Sequence, residues 1–166
     1  MKSGYNWLVN SHPKVDWDTW VWNRLNIPKH KFICWLIMWK RIRVKARLKH
    51  VGVIDDASCP LCDVADETVD HLYFACPYSQ KCLTELVTYT GIRLLPSSVE
   101  DGNTQMLMIK GRFRRAVIQC NYAALLYVIW QQRNDAVWHG KVCRPDECVN
   151  QFFMQDVYHR ICYVMP

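Results

Sequence analysis

Cys59-Pro60-Leu61-Cys62-Asp63-Val64-Ala65-Asp66-Glu67-Thr68-Val69-Asp70-His71-Leu72-Tyr73-Phe74-Ala75-Cys76-Pro77 is the stretch on which the reading of this chain turns. It spells C-x2-C-x8-H-x4-C, four metal-ligating side chains within 18 residues. Thiolate sulfur and imidazole nitrogen are the ligands zinc takes in a tetrahedron, and a Cys3His set closes that tetrahedron with no position left for substrate. The spacing therefore predicts a structural zinc ion held by Cys59, Cys62, His71 and Cys76, and argues against zinc catalysis. The bland alternative is four buried thiol and imidazole groups with no metal, since free cysteine packs like a small hydrophobe.

The details of the spacing carry physical content. Cys59 and Cys62 bracket one tight turn at Pro60-Leu61. His71 and Cys76 are five apart, about 140° around a continuous α-helix, too far to share an ion. Pro77 removes the difficulty, because the residue before a proline is pushed out of the helical region. His71 is then expected on a short helix over 67–74, with Cys76 turning back from its end. Cys82 is the nearest spare thiol and a candidate substitute ligand. Asp55-Asp56 reads as a turn at the mouth of this knuckle.

Outward from the knuckle, the pattern is helical. Pro28 opens a helix in which Phe32, Trp35, Leu36 and Trp39 recur at helical spacing and are expected to face the core. A second helix is expected over 44–51 with Gly52 as its stop, and another over 79–90 stopped by Gly91. The run Phe113, Ala116, Val117, Cys120, Ala124, Tyr127, Ile129 and Trp130 predicts a long helix ended by Gly140. A last amphipathic helix is expected over 145–163, with Val149, Phe152, Phe153, Val157 and Ile161 apolar. Met1 to Pro13 reads as a short helix or arm. Pro96 and Gly102 suggest a loop between two parts. The expected organisation is a mainly α fold: a small helical zinc-knuckle domain over 1–93, a loop or linker over 94–111 and a helical extension over 112–166.

Charge is uneven. The chain has 166 residues and a formal charge of +6. Thr19 to Ile54 contains no acidic residue but carries Arg24, Lys29, Lys31, Lys40, Arg41, Arg43, Lys45, Arg47 and Lys49. A cationic surface of this kind favours a polyanion, so Lys29, Lys31, Lys40, Arg41, Arg43, Lys45, Arg47 and Lys49 are the candidate nucleic-acid contacts. The alternative is a solvated helix face. Nine cysteines would suit a disulfide scaffold, but the number is odd and the opening residues lack the apolar core of a signal peptide. The longest apolar run, Phe32 to Trp39, is too short to span a bilayer, which predicts no membrane partner. A reducing nuclear or cytoplasmic compartment is expected, where thiols remain available to zinc.

Several of these segments, in this order, resemble a known family. Pro28-Lys29-His30-Lys31-Phe32-Ile33-Cys34-Trp35-Leu36, Arg47-Leu48, Cys59-Pro60-Leu61-Cys62, Glu67 and His71-Leu72-Tyr73-Phe74-Ala75-Cys76-Pro77 are similar to the zinc-binding domain of plant reverse transcriptases from retrotransposons without long terminal repeats. Trp20-Val21-Trp22-Asn23 and Met1-Lys2-Ser3-Gly4-Tyr5 resemble its upstream stretches, so the likeness covers about Lys2 to Gly91. Trp130-Gln131-Gln132-Arg133-Asn134 resembles a W-x-x-R-N segment that often follows. The resemblance implies zinc on Cys59, Cys62, His71 and Cys76 and a role in nucleic-acid binding beside a polymerase. The chain itself reads as the tail of such a protein, starting at its own methionine.

The expected function is thus non-catalytic binding of RNA or single-stranded DNA; Tyr73 and Tyr78 are candidate stacking residues if exposed, although aromatics of this kind are more often partly buried packing residues. Asp55-Asp56 lacks the aromatic residue that precedes a polymerase aspartate pair, no nucleophile or phosphate-loop motif is present, and scattered histidines argue for no enzyme. The alternatives are a protein-interaction module, docking a reverse-transcriptase polymerase domain or a second copy of itself, and a non-functional retroelement remnant.

Overall fold

A computed structural model describes residues 15–152 together with residues 157, 158, 160 and 162. Among these the architecture is helical, with one isolated antiparallel bridge, Ser58 to Asp66, and no strand. We label the helices α1 (Asp18–Val21), α2 (Pro28–Met38), α3 (Lys45–His50), α4 (Pro77–Thr90), α5 (Val99–Met108), α6 (Arg112–His139) and α7 (Pro145–Phe152). A π-helical turn, His71–Ala75, lies between α3 and α4. The arm read over Met1 to Pro13, and Phe153 and Ile161 of the last helix, fall outside the described residues. No described helix is long and apolar enough to cross a membrane.

The 28-residue α6 is the axis of the molecule. Its central run, Ile118 to Leu126, is buried throughout. Helices α1, α2 and α4 and the π-turn all pack on α6, and α7 packs on both α4 and α6. One continuous apolar cluster joins Trp20, Ile33, Ile37, Leu72, Leu83, Leu86, Leu125 and Ile129. The middle of α6 is mostly apolar on all sides, and it is buried there because helices pack on it from several directions.

Local chemistry explains the boundaries. Pro28 and Pro77 open α2 and α4 from first-turn positions, where a missing N–H costs nothing. Gly91 closes α4 in the left-handed region at φ 64°, with its N–H on the Val87 carbonyl. The linker expected over 94–111 contains a helix instead. Ser98 caps α5 by accepting from the Asp101 N–H at 3.1 Å, and Glu100 and Asp101 complement its N-terminal dipole. Gly102 discourages a helical reading there, because glycine is a poor helix former. Its role is close approach: a Cβ at Gly102 would lie 2.5 Å from the buried Tyr122 hydroxyl of α6. Asn103, one residue on, accepts the Trp20 indole N–H at 2.9 Å and donates to Asp16 at 3.0 Å.

The expected inner face of α2 requires correction. His30, Ile33, Cys34 and Ile37 are the buried set, while Phe32 is 55% exposed and Trp39 47% exposed. Trp35 and Leu36 are only partly covered, at the edge of the core. The stretch from Phe32 to Trp39 is apolar on two faces, so periodicity alone cannot choose between them. The smaller residues allow α2 to approach α6 closely, and the large aromatics are left at the rim. Likewise Trp20 and Leu25 are buried, but Trp22 is exposed.

Gly102→Ala should be destabilising even though alanine is the better helix former by about 1 kcal/mol. Forcing a methyl against a rigid buried phenol costs typically about 1–3 kcal/mol, which outweighs that gain. Thermal unfolding should show a lower midpoint for the single variant. The double variant Gly102→Ala/Tyr122→Phe, which removes the obstructing oxygen, should recover part of the loss.

Candidate metal centre

Cys59, Cys62, His71 and Cys76 converge, with one ligand atom from each lying within 4.8 Å of every other. Cys59 and Cys76 are buried, and Cys62 and His71 are half-buried. The Cys59 and Cys76 sulfurs are 4.0 Å apart, and Cys62 Sγ is 3.3 Å from His71 Nε2. Zinc–sulfur bonds near 2.3 Å and zinc–nitrogen bonds near 2.0 Å set tetrahedral ligand separations of about 3.5–3.8 Å. The four atoms fit that tetrahedron to within about an ångström. A zinc ion bound there would supply structural cross-linking of two loops, and the four protein ligands complete its preferred coordination.

Two pieces of backbone build the site. The first is a tight loop: the N–H groups of Cys62 and Asp63 both point to the Cys59 carbonyl, at 3.3 and 2.8 Å. Asp63 takes the left-handed conformation at φ 56°. Cys59 N–H donates to Ala65 O at 2.9 Å and Glu67 N–H to Ala57 O at 2.7 Å, which closes a miniature hairpin. Asp56 secures its entrance through the Ser58 N–H, the Ser58 hydroxyl and Lys45 Nζ. These bonds hold the Asp56 carboxyl well below its ordinary value, with the Ser58 hydroxyl the largest cause. The aspartate pair at 55–56 is thus a turn.

The second piece solves the five-residue spacing. The helix expected over 67–74 begins at Val69 and widens into the π-turn. Cys76 N–H donates to His71 O at 2.7 Å, an i to i+5 bond, so residues five apart lie one above the other. Cys76 then leaves the helix at φ −64°, ψ 129°, as a residue before proline should, and becomes the N-terminal cap of α4.

The thiols differ electrostatically. Cys76 is drawn below the ordinary thiol value, chiefly by the hydrogen bond from Cys59, and further by the Ser79 and Tyr78 backbone N–H groups at the start of α4. Cys59 is pushed up by sharing that hydrogen bond and by burial. Cys82 stands outside the cluster; burial raises its thiol to about 12. All nine cysteines are free.

Behind the metal site lies a pairing that the sequence motifs do not disclose. Glu67 is fully buried and takes a two-pronged contact from Arg133, Nε to Oε1 at 2.7 Å and Nη2 to Oε2 at 2.9 Å. Its Oε2 also accepts the Lys45 N–H, at 2.6 Å, at the start of α3. The same hydrogen bonding raises the Arg133 guanidinium above its ordinary value, so it stays charged. The two residues are 66 apart in sequence. Glu67 and Arg133 each fall within a segment that resembles the family pattern, but nothing in the sequence pairs them.

The candidate cations are distributed around α2 and α3. Lys40 is engaged by Glu100 at 2.9 Å and Asp70 at 3.5 Å, and Lys45 by Asp56 at 2.9 Å. Lys31 is half-buried, while Lys29, Arg41, Arg43, Arg47 and Lys49 are exposed. Tyr73 and Tyr78 are both buried, which fits the packing alternative and not base stacking, and Tyr78 donates to the Cys143 carbonyl at 3.0 Å. Tyr73 is turned inward on the π-turn, and Tyr78 is held inward from the first turn of α4.

Comparison with known proteins agrees with this geometry. Residues 1–82 match the model of a family described as zinc-binding in reverse transcriptase. An uncharacterized mitochondrial protein of Arabidopsis thaliana is 29% identical over 76 residues, an alignment that covers 45% of this chain and 53% of that protein. The chain thus matches about half the length of this curated relative. No solved structure matches.

Cys59→Ser and His71→Ala should each reduce bound zinc from about one equivalent to near zero, as measured by elemental analysis after gel filtration. Cys82→Ala should retain the metal. Retention of a full equivalent by both ligand variants would exclude this Cys3His set.

Proposed function

We propose that this chain is a zinc-anchored, non-catalytic module that binds RNA or single-stranded DNA, a reading supported by the match of residues 1–82 to the family described as zinc-binding in reverse transcriptase and by the Cys59, Cys62, His71 and Cys76 cluster. It would derive from the C-terminal part of a retrotransposon reverse transcriptase and work in the nucleus or cytoplasm. The observation that carries the reading is the exposed cationic set Lys29, Arg41, Arg43, Arg47 and Lys49, gathered on α2, α3 and their connection. Of the eight candidate cations, Lys40 and Lys45 have carboxylate partners that spend their charge within the fold. Phosphates are the partner that five clustered cations attract without requiring sequence information.

The non-catalytic part of the reading rests on the metal centre. Four protein ligands leave zinc no open coordination position, and catalytic zinc requires one. The knuckle would instead act as a clasp that keeps α3 and its cations in place.

Binding of a single-stranded oligonucleotide should weaken steeply with salt. Each neutralised phosphate contributes about −0.7 to the slope of log affinity against log salt, so five contacts predict a slope of about −3.5. A flat response in a filter-binding titration would defeat the proposal.

A second reading, docking to a polymerase domain or to another copy, is favoured by one observation. Exposed Tyr89 and Phe113 flank an apolar pocket of about 490 Å³ floored by Val117 and Ile118. Exposed patches of that type mark protein contacts. Light scattering on the zinc-loaded chain should show concentration-dependent self-association if the occupant is a second copy, and a constant monomer mass would reject that occupant.

A further inference from the structure

The basic surface is not a flat helix face. Between α2, α3 and the C-terminal third of α6 lies a groove of about 850 Å³. Its lining includes Arg41, Arg43 and Arg47 together with the aromatic side chains Phe32 of α2 and Trp130 and Trp138 of α6. No carboxylate lines it among the described residues. Arg133, at its base, is already committed to Glu67.

The aromatics are not equivalent. Tyr127 is covered by Lys29 at 5.0 Å, by His30 at 4.9 Å and by Trp130 at 5.7 Å, so its ring is used within the fold. Trp138, near the end of α6, is 74% exposed, and Phe32 is more than half exposed where it stacks on Trp35. Leaving two large rings in water beside three arginines has no rationale in core packing. It matches a ligand that carries flat apolar faces along a string of negative charges.

We propose that this groove is a single-stranded nucleic-acid site, in which Phe32 and Trp138 stack unpaired bases while Arg41, Arg43 and Arg47 hold the phosphates. The inference rests on the nucleic-acid reading above and narrows it. In a duplex the base faces are hidden against each other, so exposed rings gain nothing from it. In a single strand every base offers a face, and stacking on aromatic side chains is tolerant of sequence. An acidic peptide would satisfy the arginines but leave the two rings without partners.

The site is also composite. Trp130 and Trp138 lie beyond residues 1–82, on the helix that carries the Trp130–Asn134 segment. Trp130, Asn134 and Trp138 succeed one another at four-residue spacing, which places them along one side of α6. Glu67 and Arg133 lock that helix to the zinc knuckle, so the two walls of the groove are held by one buried ion pair.

The test uses the zinc-loaded full chain and fluorescence anisotropy with three labelled probes: an oligothymidylate, a DNA duplex of equal length and polyglutamate. The single strand should bind about tenfold or more tightly than the duplex. Trp138→Ala should weaken oligothymidylate binding about tenfold with the salt slope intact, and Trp138→Phe should restore most of it. Arg43→Ala should reduce the slope by about 0.7. Equal affinity for single strand and duplex, with Phe32→Ala and Trp138→Ala both silent, would overturn the stacking site while leaving the charge-based reading standing. Binding of polyglutamate alone would overturn both.

Discussion

One carboxylate organises this molecule. Glu67 is sealed from solvent, and a buried charge is tolerable only when its partners are present and well aimed. Here the partners come from two elements remote in sequence: the Arg133 guanidinium of α6 and the first backbone N–H of α3. Removing one member of such a pair typically costs about 3–5 kcal/mol, a large share of a domain's net stability. The constraint is therefore geometric as much as energetic. The hairpin that carries Cys59 and Cys62, the basic helix α3 and the long helix α6 can satisfy Glu67 together only in one arrangement.

The metal site imposes a second constraint that shares this hinge. Cys59 and Cys62 sit on the loop just before Glu67, and His71 begins the π-turn just after it, with Cys76 at that turn's exit. A tetrahedral ion closing the set would fix the chain on both sides of the carboxylate. The π-turn and Pro77 are the local devices that make closure possible, since an ordinary α-helix would place His71 and Cys76 on different faces. Strain in backbone hydrogen bonding is small there, because the wide turn still gives Cys76 N–H a good acceptor at 2.7 Å. The lowered thiol of Cys76 comes chiefly from the hydrogen bond of Cys59, with the backbone N–H groups at the start of α4 adding to it.

Whether a feature is legible in the amino-acid sequence depends on how local its interactions are. The ligand set is readable because metal-binding spacing is a short-range property, and the residues at 59, 62, 71 and 76 announce themselves. The ends of α4 and α6 are readable because Gly91 and Gly140 are local stop signals. The face of α2 is not, since two apolar stripes compete and only the shape of α6 decides that Ile33 and Ile37 go inward while Phe32 stays out. Helix α5 is hidden by Gly102, whose lack of a side chain serves Tyr122, a residue remote along the chain. Glu67 and Arg133 are each visible as motif residues, but their pairing is not, for the same reason: nothing near either residue names the other. The basic run is visible as composition, but its division into paired lysines and exposed arginines depends on where Asp56, Asp70 and Glu100 arrive.

The carboxylate and the metal site together explain why so large a part of the chain should accompany so small a knuckle. A knuckle of this size buries too little apolar surface to hold a surface helix in register by itself. Docked through Glu67 onto α6, it gains the support of a 28-residue helix that is itself gripped by its neighbours on several sides. Rigidity of that kind would matter for the proposed site of exposed arginines and rings, whose ordering would otherwise consume much of the binding energy. Loss of zinc need not unfold the helical core to impair such a surface. Releasing the hairpin would free Glu67, and Arg133 would then be an unpaired cation at the base of the groove. The wall formed by α3 would lose its register against α6, so metal and ligand affinity would be linked through a single ion pair that touches neither.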